Sequence, residues 1–196
     1  AAIYRNQNEF DVLIASPQAA SEIAKREQMS LIIPEERVFE MKLIGEHNQV
    51  AARLAYEVAS QCGLSDEEMC EAIKTFEGVE GRLQDCGMFG GEKHVRVFND
   101  NNATTEDATI AAINAINETY HKKPIVILGG ADKGLSLTNL EHALSELVKV
   151  TVLLAGTGTD RLTVDKTYQF ETLEECVDQA FILTEQDDII LFSPAF

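Results

Sequence analysis

Tryptophan is absent from this 196-residue chain, proline occurs 4 times and aromatic residues make up 7%. The 12 glycines follow no period, so collagen-like and low-complexity readings are excluded. Positive charge is scarce: 16 Lys+Arg face 33 Asp+Glu, a formal net charge of −17. The excess divides as −8 over residues 1–80 and −9 over 81–196, so it forms no acidic tail. Each phosphate contacted on a nucleic acid needs a local cation, which argues against a non-specific nucleic-acid or anionic-membrane binder. A small anionic ligand stays open, because a few cations in one cleft suffice. Long hydrophobic runs are lacking too. Ile125–Leu128 and Val152–Ala155 fall far short of the ~20 residues that span a bilayer. Ala1–Asn6 has no basic segment leading into an apolar core, so no secretory signal is expected. Nor is there an initiator Met, and the strand-like Asp188–Phe192 runs almost at once into Phe196. Both ends lead us to expect a truncated chain. Cys62, Cys70, Cys86 and Cys176 form no CxxC and have no His at ligand spacing. Reduced, mostly buried thiols of a cytoplasmic protein are expected.

What is present is an ordinary soluble mixture, 45% apolar and 25% charged, enough for one domain or one and part of another. Residues 12–33 read as a strand, a helix opened by Ser16-Pro17, and a strand Leu31–Ile33. A helix from about Asn48 to Gln61 places Val50, Leu54, Ala55 and Val58 on one face. Ser65-Asp66-Glu67-Glu68 reads as a capping box opening the next. From residue 94 the rhythm becomes strand–helix alternation, with strands at Val95–Phe98, Ile125–Leu128, Val150–Leu154 and Ile189–Phe192. Helices are expected between them at Glu106–Tyr120, Leu137–Val148 and Leu173–Leu183. Solid apolar strands alternating with helices indicate a parallel sheet covered on both faces. Ligands in such sheets bind outside the carboxyl ends of the strands.

Those ends carry the polar motifs. After Val95–Phe98 comes Asn99-Asp100-Asn101-Asn102-Ala103-Thr104-Thr105. It is a helix cap made by Thr104 or Thr105, an anion site at a helix start, or both. After Ile125–Leu128 comes Gly129-Gly130-Ala131-Asp132-Lys133-Gly134, where two glycines let the backbone approach a ligand and Lys133 supplies a cation. It is not a P-loop, because Lys133 is followed by Gly134. Gly156-Thr157-Gly158 has two of the three glycines of GxGxxG, a weak partial match that a tight turn explains better than a dinucleotide site does. Ser193-Pro194 follows the last strand. Upstream, Gly45-Glu46-His47-Asn48 opens a helix and Gly81-Arg82 follows one. No cluster at metal spacing and no GxSxG elbow occurs, and no catalytic residue is nominated.

In order, Gly-x-His-Asn, Gly-Arg, Asn-Asp-x-x-Ala-Thr, Leu-Gly-Gly-x-x-Lys and Leu-x-Ser-Pro-Ala resemble the Mur ligases of peptidoglycan synthesis. The resemblance covers about residues 39–196 and is closest to the D-glutamate-adding branch. It implies an α/β fold: a Rossmann-like, mostly parallel sheet with helices on both faces, preceded by the helical end of an ATP-binding α/β domain. Residues 1–79 would end the central ATP-binding domain, and 80–196 would form most of the amino-acid-binding domain. The family phosphorylates the carboxylate of UDP-N-acetylmuramoyl-L-alanine with ATP and Mg2+. The amine of D-glutamate then attacks the acyl phosphate.

By this resemblance Asn48 lies near adenine, Arg82 contacts the nucleotide phosphates and Asp100 bonds the ribose hydroxyls. Thr104 and Lys133 hold the side-chain carboxylate of D-glutamate. The P-loop, the magnesium ligands and a carbamylated lysine would precede residue 1, so these residues alone are expected to be inactive. A monomer with small-molecule partners is implied. Three departures stand out. Ala51 replaces an Asn frequent in the family, Asn102 replaces a Lys, and the Ser-Leu-x-x-Phe stretch after Ser-Pro-Ala is not in the chain. A non-catalytic ligand-binding or interaction module, or a sister ligase such as a folate polyglutamate ligase, stays open.

Overall fold

The computed structural model describes residue 8, residues 10–23 and residues 30–196, and the chain divides into two compact units, Ala1–Glu77 and Gly78–Phe196. In the first unit β1 (Val12–Ile14) pairs in parallel with β2 (Ser30–Ile32) around α1 (Pro17–Glu22). Ser16 caps α1 by accepting from the Ala19 N–H, and the missing N–H of Pro17 costs nothing in a first turn. α2 (Glu46–Gln61) and α3 (Asp66–Thr75) follow, and the Ser65/Glu68 capping box is present. Among the described residues of this unit Ala15, Phe39, Ala52 and Met69 are the buried apolar ones. The Arg37 guanidinium lies 4.9 Å from the Phe39 ring centroid and 4.8 Å from that of Tyr56. It also pairs with Asp66 at 2.7 Å, which holds the Asp66 carboxyl below its ordinary range.

The second unit is one six-stranded sheet in the order β3-β4-β8-β5-β6-β7. Its strands are β3 (Gln84–Phe89), β4 (Val95–Asn99), β5 (Ile125–Leu128), β6 (Val150–Leu154), β7 (Thr167–Phe170) and β8 (Ile189–Phe192). All neighbours run parallel except β3, an antiparallel edge strand with a register shift between Asp85 and Gly87. β4, β5, β6 and β8 lie where their apolar runs place them. β3 and β7 were not expected, and both are edge strands with mostly exposed side chains.

α4 (Glu106–Tyr120) and α6 (Leu173–Leu183) match the expected spans, while α5 is one residue shorter at each end, at Thr138–Leu147. Val95, Ile125, Ile127, Val152 and Ile190 form a buried cluster with Cys176 and Ala180 of α6. Alternate residues face the other way along a strand, and there Phe98 packs on Tyr120 of α4 with ring centroids 5.9 Å apart. α4 in turn is tied to α5 by Asn117 Nδ2 donating to the Leu147 carbonyl at 3.0 Å. Helices therefore cover both faces. All four cysteines are free, but the expectation that most are buried is corrected. Only Cys176 is buried, Cys70 is half-buried, and Cys62 and Cys86 are exposed. Cys62 lies at a helix end and Cys86 in the irregular edge strand, outside the central apolar runs that would cover them.

Candidate functional site

Every parallel strand of the second unit delivers its loop to one edge of the sheet. Asp100 follows β4, Gly129–Gly134 follow β5, Gly156–Thr159 follow β6 and Ser193 follows β8. β3 runs the other way, so its first residues, preceded by Arg82, meet this same edge through the Gln84–Asn99 pairing.

The centre of the edge is a buried polar chain. The Asp100 carboxylate accepts from the Leu83 N–H at 2.9 Å through Oδ1 and from the Ser193 hydroxyl at 3.0 Å through Oδ2. Ser193 Oγ also lies 2.8 Å from the Thr109 hydroxyl on α4. Asp100 is 8% exposed, and Thr109 and Ser193 are 0% exposed. A buried carboxylate is tolerated when its lone pairs are occupied.

Lys133 reaches across to the loop after β4 and donates to the Thr104 carbonyl at 2.7 Å. Thr104 and Lys133 are both exposed, and an ammonium has three protons, so two remain for an anion. Thr105, rather than Thr104, caps α4, accepting from the Ala108 N–H at 3.4 Å. The β5 loop is stiffened from its other side. Asp132 accepts from the Gly134 N–H at 2.8 Å and pairs with Arg161. These donors, the backbone amide first, hold its carboxyl below the usual range. Arg161 also donates to the Leu135 carbonyl at 2.9 Å, so its charge is already used within the loops.

The glycines of these turns serve the protein's own packing. A Cβ on Gly129 would fall 2.5 Å from the Cβ of Leu154, and one on Gly158 would fall 2.5 Å from the Phe196 ring. Gly156–Gly158 lead into a 3₁₀ turn at Thr159–Arg161. Arg82 is exposed; its backbone N–H donates to the Val79 carbonyl at 3.1 Å, and among the described residues its guanidinium makes no hydrogen bond or ion pair. Asn48 belongs to the first unit, where its side-chain Nδ2 donates to the Ile44 carbonyl at 2.8 Å. That unit also has a groove lined by Glu40, Glu67, Glu68 and Glu71 with Arg37 and Lys74. Both cations there are already paired, with Asp66 and Glu40, so the groove offers no free positive charge to a phosphate.

Residues 81–196 match the family description "Mur ligase, glutamate ligase domain". The chain belongs to the Mur ligase family. Among curated relatives, the UDP-N-acetylmuramoylalanine--D-glutamate ligase of Thermoanaerobacter sp. (strain X514) is 33% identical over 165 residues, 80% of this chain and 35% of the relative. The protein of the same name from Aquifex aeolicus (strain VF5) is 31% identical over 215 residues, 98% of this chain and 50% of the relative. Of solved structures, the MurF ligase from Thermotoga maritima in complex with ADP superposes with a TM-score of 0.72 at 13% identity. It covers 95% of this chain and 50% of that one. This Mur ligase chain therefore spans between about a third and a half of the length of these relatives.

Gathered at the edge of its second unit are Arg82, Asp100, Thr104 and Lys133, with Asn48 in the other unit. Sequence reasoning missed the Ser193–Thr109 and Asn102–Glu80 bonds, whose partners lie 84 and 22 residues apart. No local signal marks either.

Proposed function

We propose that this chain is the C-terminal part of an ATP-dependent ligase that joins D-glutamate to UDP-N-acetylmuramoyl-L-alanine in peptidoglycan synthesis. The observation that carries the reading is the Lys133–Thr104 contact beside Asp100 at the carboxyl edge of the sheet. It fits relatives named for that activity.

In this reading Lys133 and Thr104 bind the side-chain carboxylate of D-glutamate and orient its amine. Arg82 binds nucleotide phosphate, Asp100 accepts from the ribose hydroxyls, and Asn48 lies on the adenine side. ATP supplies the leaving group that activates the acceptor carboxylate, and these residues hold and orient the reactants. Magnesium is assigned no residue of this chain. Among the described residues no three His, Cys, Asp or Glu side chains are grouped to hold a metal ion.

The test is steady-state kinetics of the full-length ligase carrying Lys133→Ala. A charge-assisted hydrogen bond is worth ~1.5–3 kcal/mol, and ~1.4 kcal/mol is one decade. The KM for D-glutamate should rise about ten- to hundred-fold, with a much smaller change for ATP. An unchanged KM for D-glutamate would make Lys133 a solvated loop residue. Faster turnover with a different amino acid would reassign the protein to a sister ligase.

A further inference from the structure

Arg82 enters β3 from the short turn Val79–Leu83, and the loop after β4 grips three consecutive peptides of that turn. The Asn102 side-chain Nδ2 donates to the Glu80 carbonyl at 3.1 Å. Its backbone N–H donates to the Gly81 carbonyl at 3.0 Å. The Leu83 N–H closes the set on Asp100 Oδ1 at 2.9 Å. Gly81 has φ +72, and a Cβ there would stand 2.0 Å from Asn101 Oδ1 and 2.7 Å from Asn102 Nδ2. The turn and the loop are thus in direct contact, with no room for a side chain between them.

The guanidinium itself has no hydrogen bond or ion pair among the described residues, so its backbone alone fixes where it starts. A long side chain loses rotamer freedom when it grips a ligand, and a fixed base lowers the cost of binding. We propose that Asn102 is a positioning residue for nucleotide binding: its amide and N–H lock the Glu80–Gly81–Arg82 peptides, so that Arg82 is held ready beside Asp100. A short side chain with a donor is what this place requires. Ala loses the bond to Glu80, and Ser is too short to span it. The inference rests on the reading of Arg82 as a phosphate contact.

The experiment uses the full-length ligase with Arg82→Ala, Asn102→Ala and the double variant, with KM measured for ATP and for D-glutamate. Arg82→Ala should raise the KM for ATP about tenfold or more, and Asn102→Ala about three- to tenfold. The KM for D-glutamate should stay within about twofold in Asn102→Ala. Because Asn102 acts through Arg82, the double variant should be no worse than Arg82→Ala alone. Asn102→Ser replaces Asn102→Ala if the latter melts below the assay temperature, and it should give the same pattern.

If Arg82→Ala leaves the KM for ATP unchanged, the phosphate reading falls and the inference with it. If Arg82→Ala acts but Asn102→Ala is silent, adds fully to it, or raises both KM values alike, only the inference falls.

Discussion

A β-carbon added at Gly129 would lie 2.5 Å from the Cβ of Leu154 and 3.2 Å from its carbonyl oxygen. The first contact is with the root of a side chain, which cannot swing aside as a flexible tip could. Gly129→Ala should therefore push β5 and β6 apart where they are hydrogen-bonded at Leu128 and Leu153. Overpacking of this kind costs roughly 1–3 kcal/mol. Gly134 provides the control within the same loop. It has φ +69 and nothing within 4 Å of the added carbon, so Gly134→Ala carries only the left-handed backbone strain, about 1–2 kcal/mol. Urea unfolding of the two variants separates the effects. A native-like midpoint for Gly129→Ala would show that the β5–β6 ends are free to move. In the sequence the glycine pair suggested room for a ligand. The structure gives that room to Leu154 and, at Gly130, to Phe196.

At the level of elements, α6 shows how local chemistry and packing agree. Thr172 accepts from the Glu175 N–H at 3.2 Å while the Glu175 carboxylate accepts from the Thr172 N–H at 3.1 Å. Cys176 and Ala180 then seat the helix in the main core. Thr172→Ala should cost about 1 kcal/mol and Thr172→Ser a few tenths at most, read as thermal midpoints. An unchanged midpoint in Thr172→Ala would mean that α6 is held by packing alone. Elements of this kind were legible in the sequence, as were β4, β5, β6 and β8, because burial on both faces forces an unbroken apolar run. β3 and β7 were not. Gln84-Asp85-Cys86-Gly87-Met88-Phe89 has a bulge at its middle, and Thr167-Tyr168-Gln169 are all exposed. Edge strands with a solvated side lose the pattern that marks central ones. The site was legible as polar loops at the strand ends. Its wiring was not, because Asp100 finds Leu83 17 residues upstream and Ser193 93 residues downstream. Such bonds follow from the strand order, which no local pattern encodes.

Across these 196 residues as a whole, the formal charge of −17 is a contribution that acts against the function proposed. ATP, D-glutamate and a nucleotide-linked sugar are all anions, and the acidity is spread along the sequence, −8 over residues 1–80 and −9 over 81–196. At long range the field repels them; at short range Arg82 and Lys133 attract them. Salt separates the two terms, because the Debye length falls from about 30 Å at 0.01 M to about 8 Å at 0.15 M ionic strength. Over that range the distant carboxylates are screened, while a cation touching its ligand is screened far less. The contribution of these 196 residues should therefore be to speed nucleotide association with the full-length ligase between about 0.01 and 0.15 M salt, the reverse of an attractively steered encounter. Near 0.5 M salt the direct contacts weaken in turn, with a Debye length closer to 3–5 Å, and D-glutamate affinity should decline. Stopped-flow association rates against ionic strength read the first limb, and equilibrium titration reads the second. An association rate that falls steadily from the lowest salt would mean that the cations at the sheet edge dominate the approach, and that the net charge is directed elsewhere on the surface.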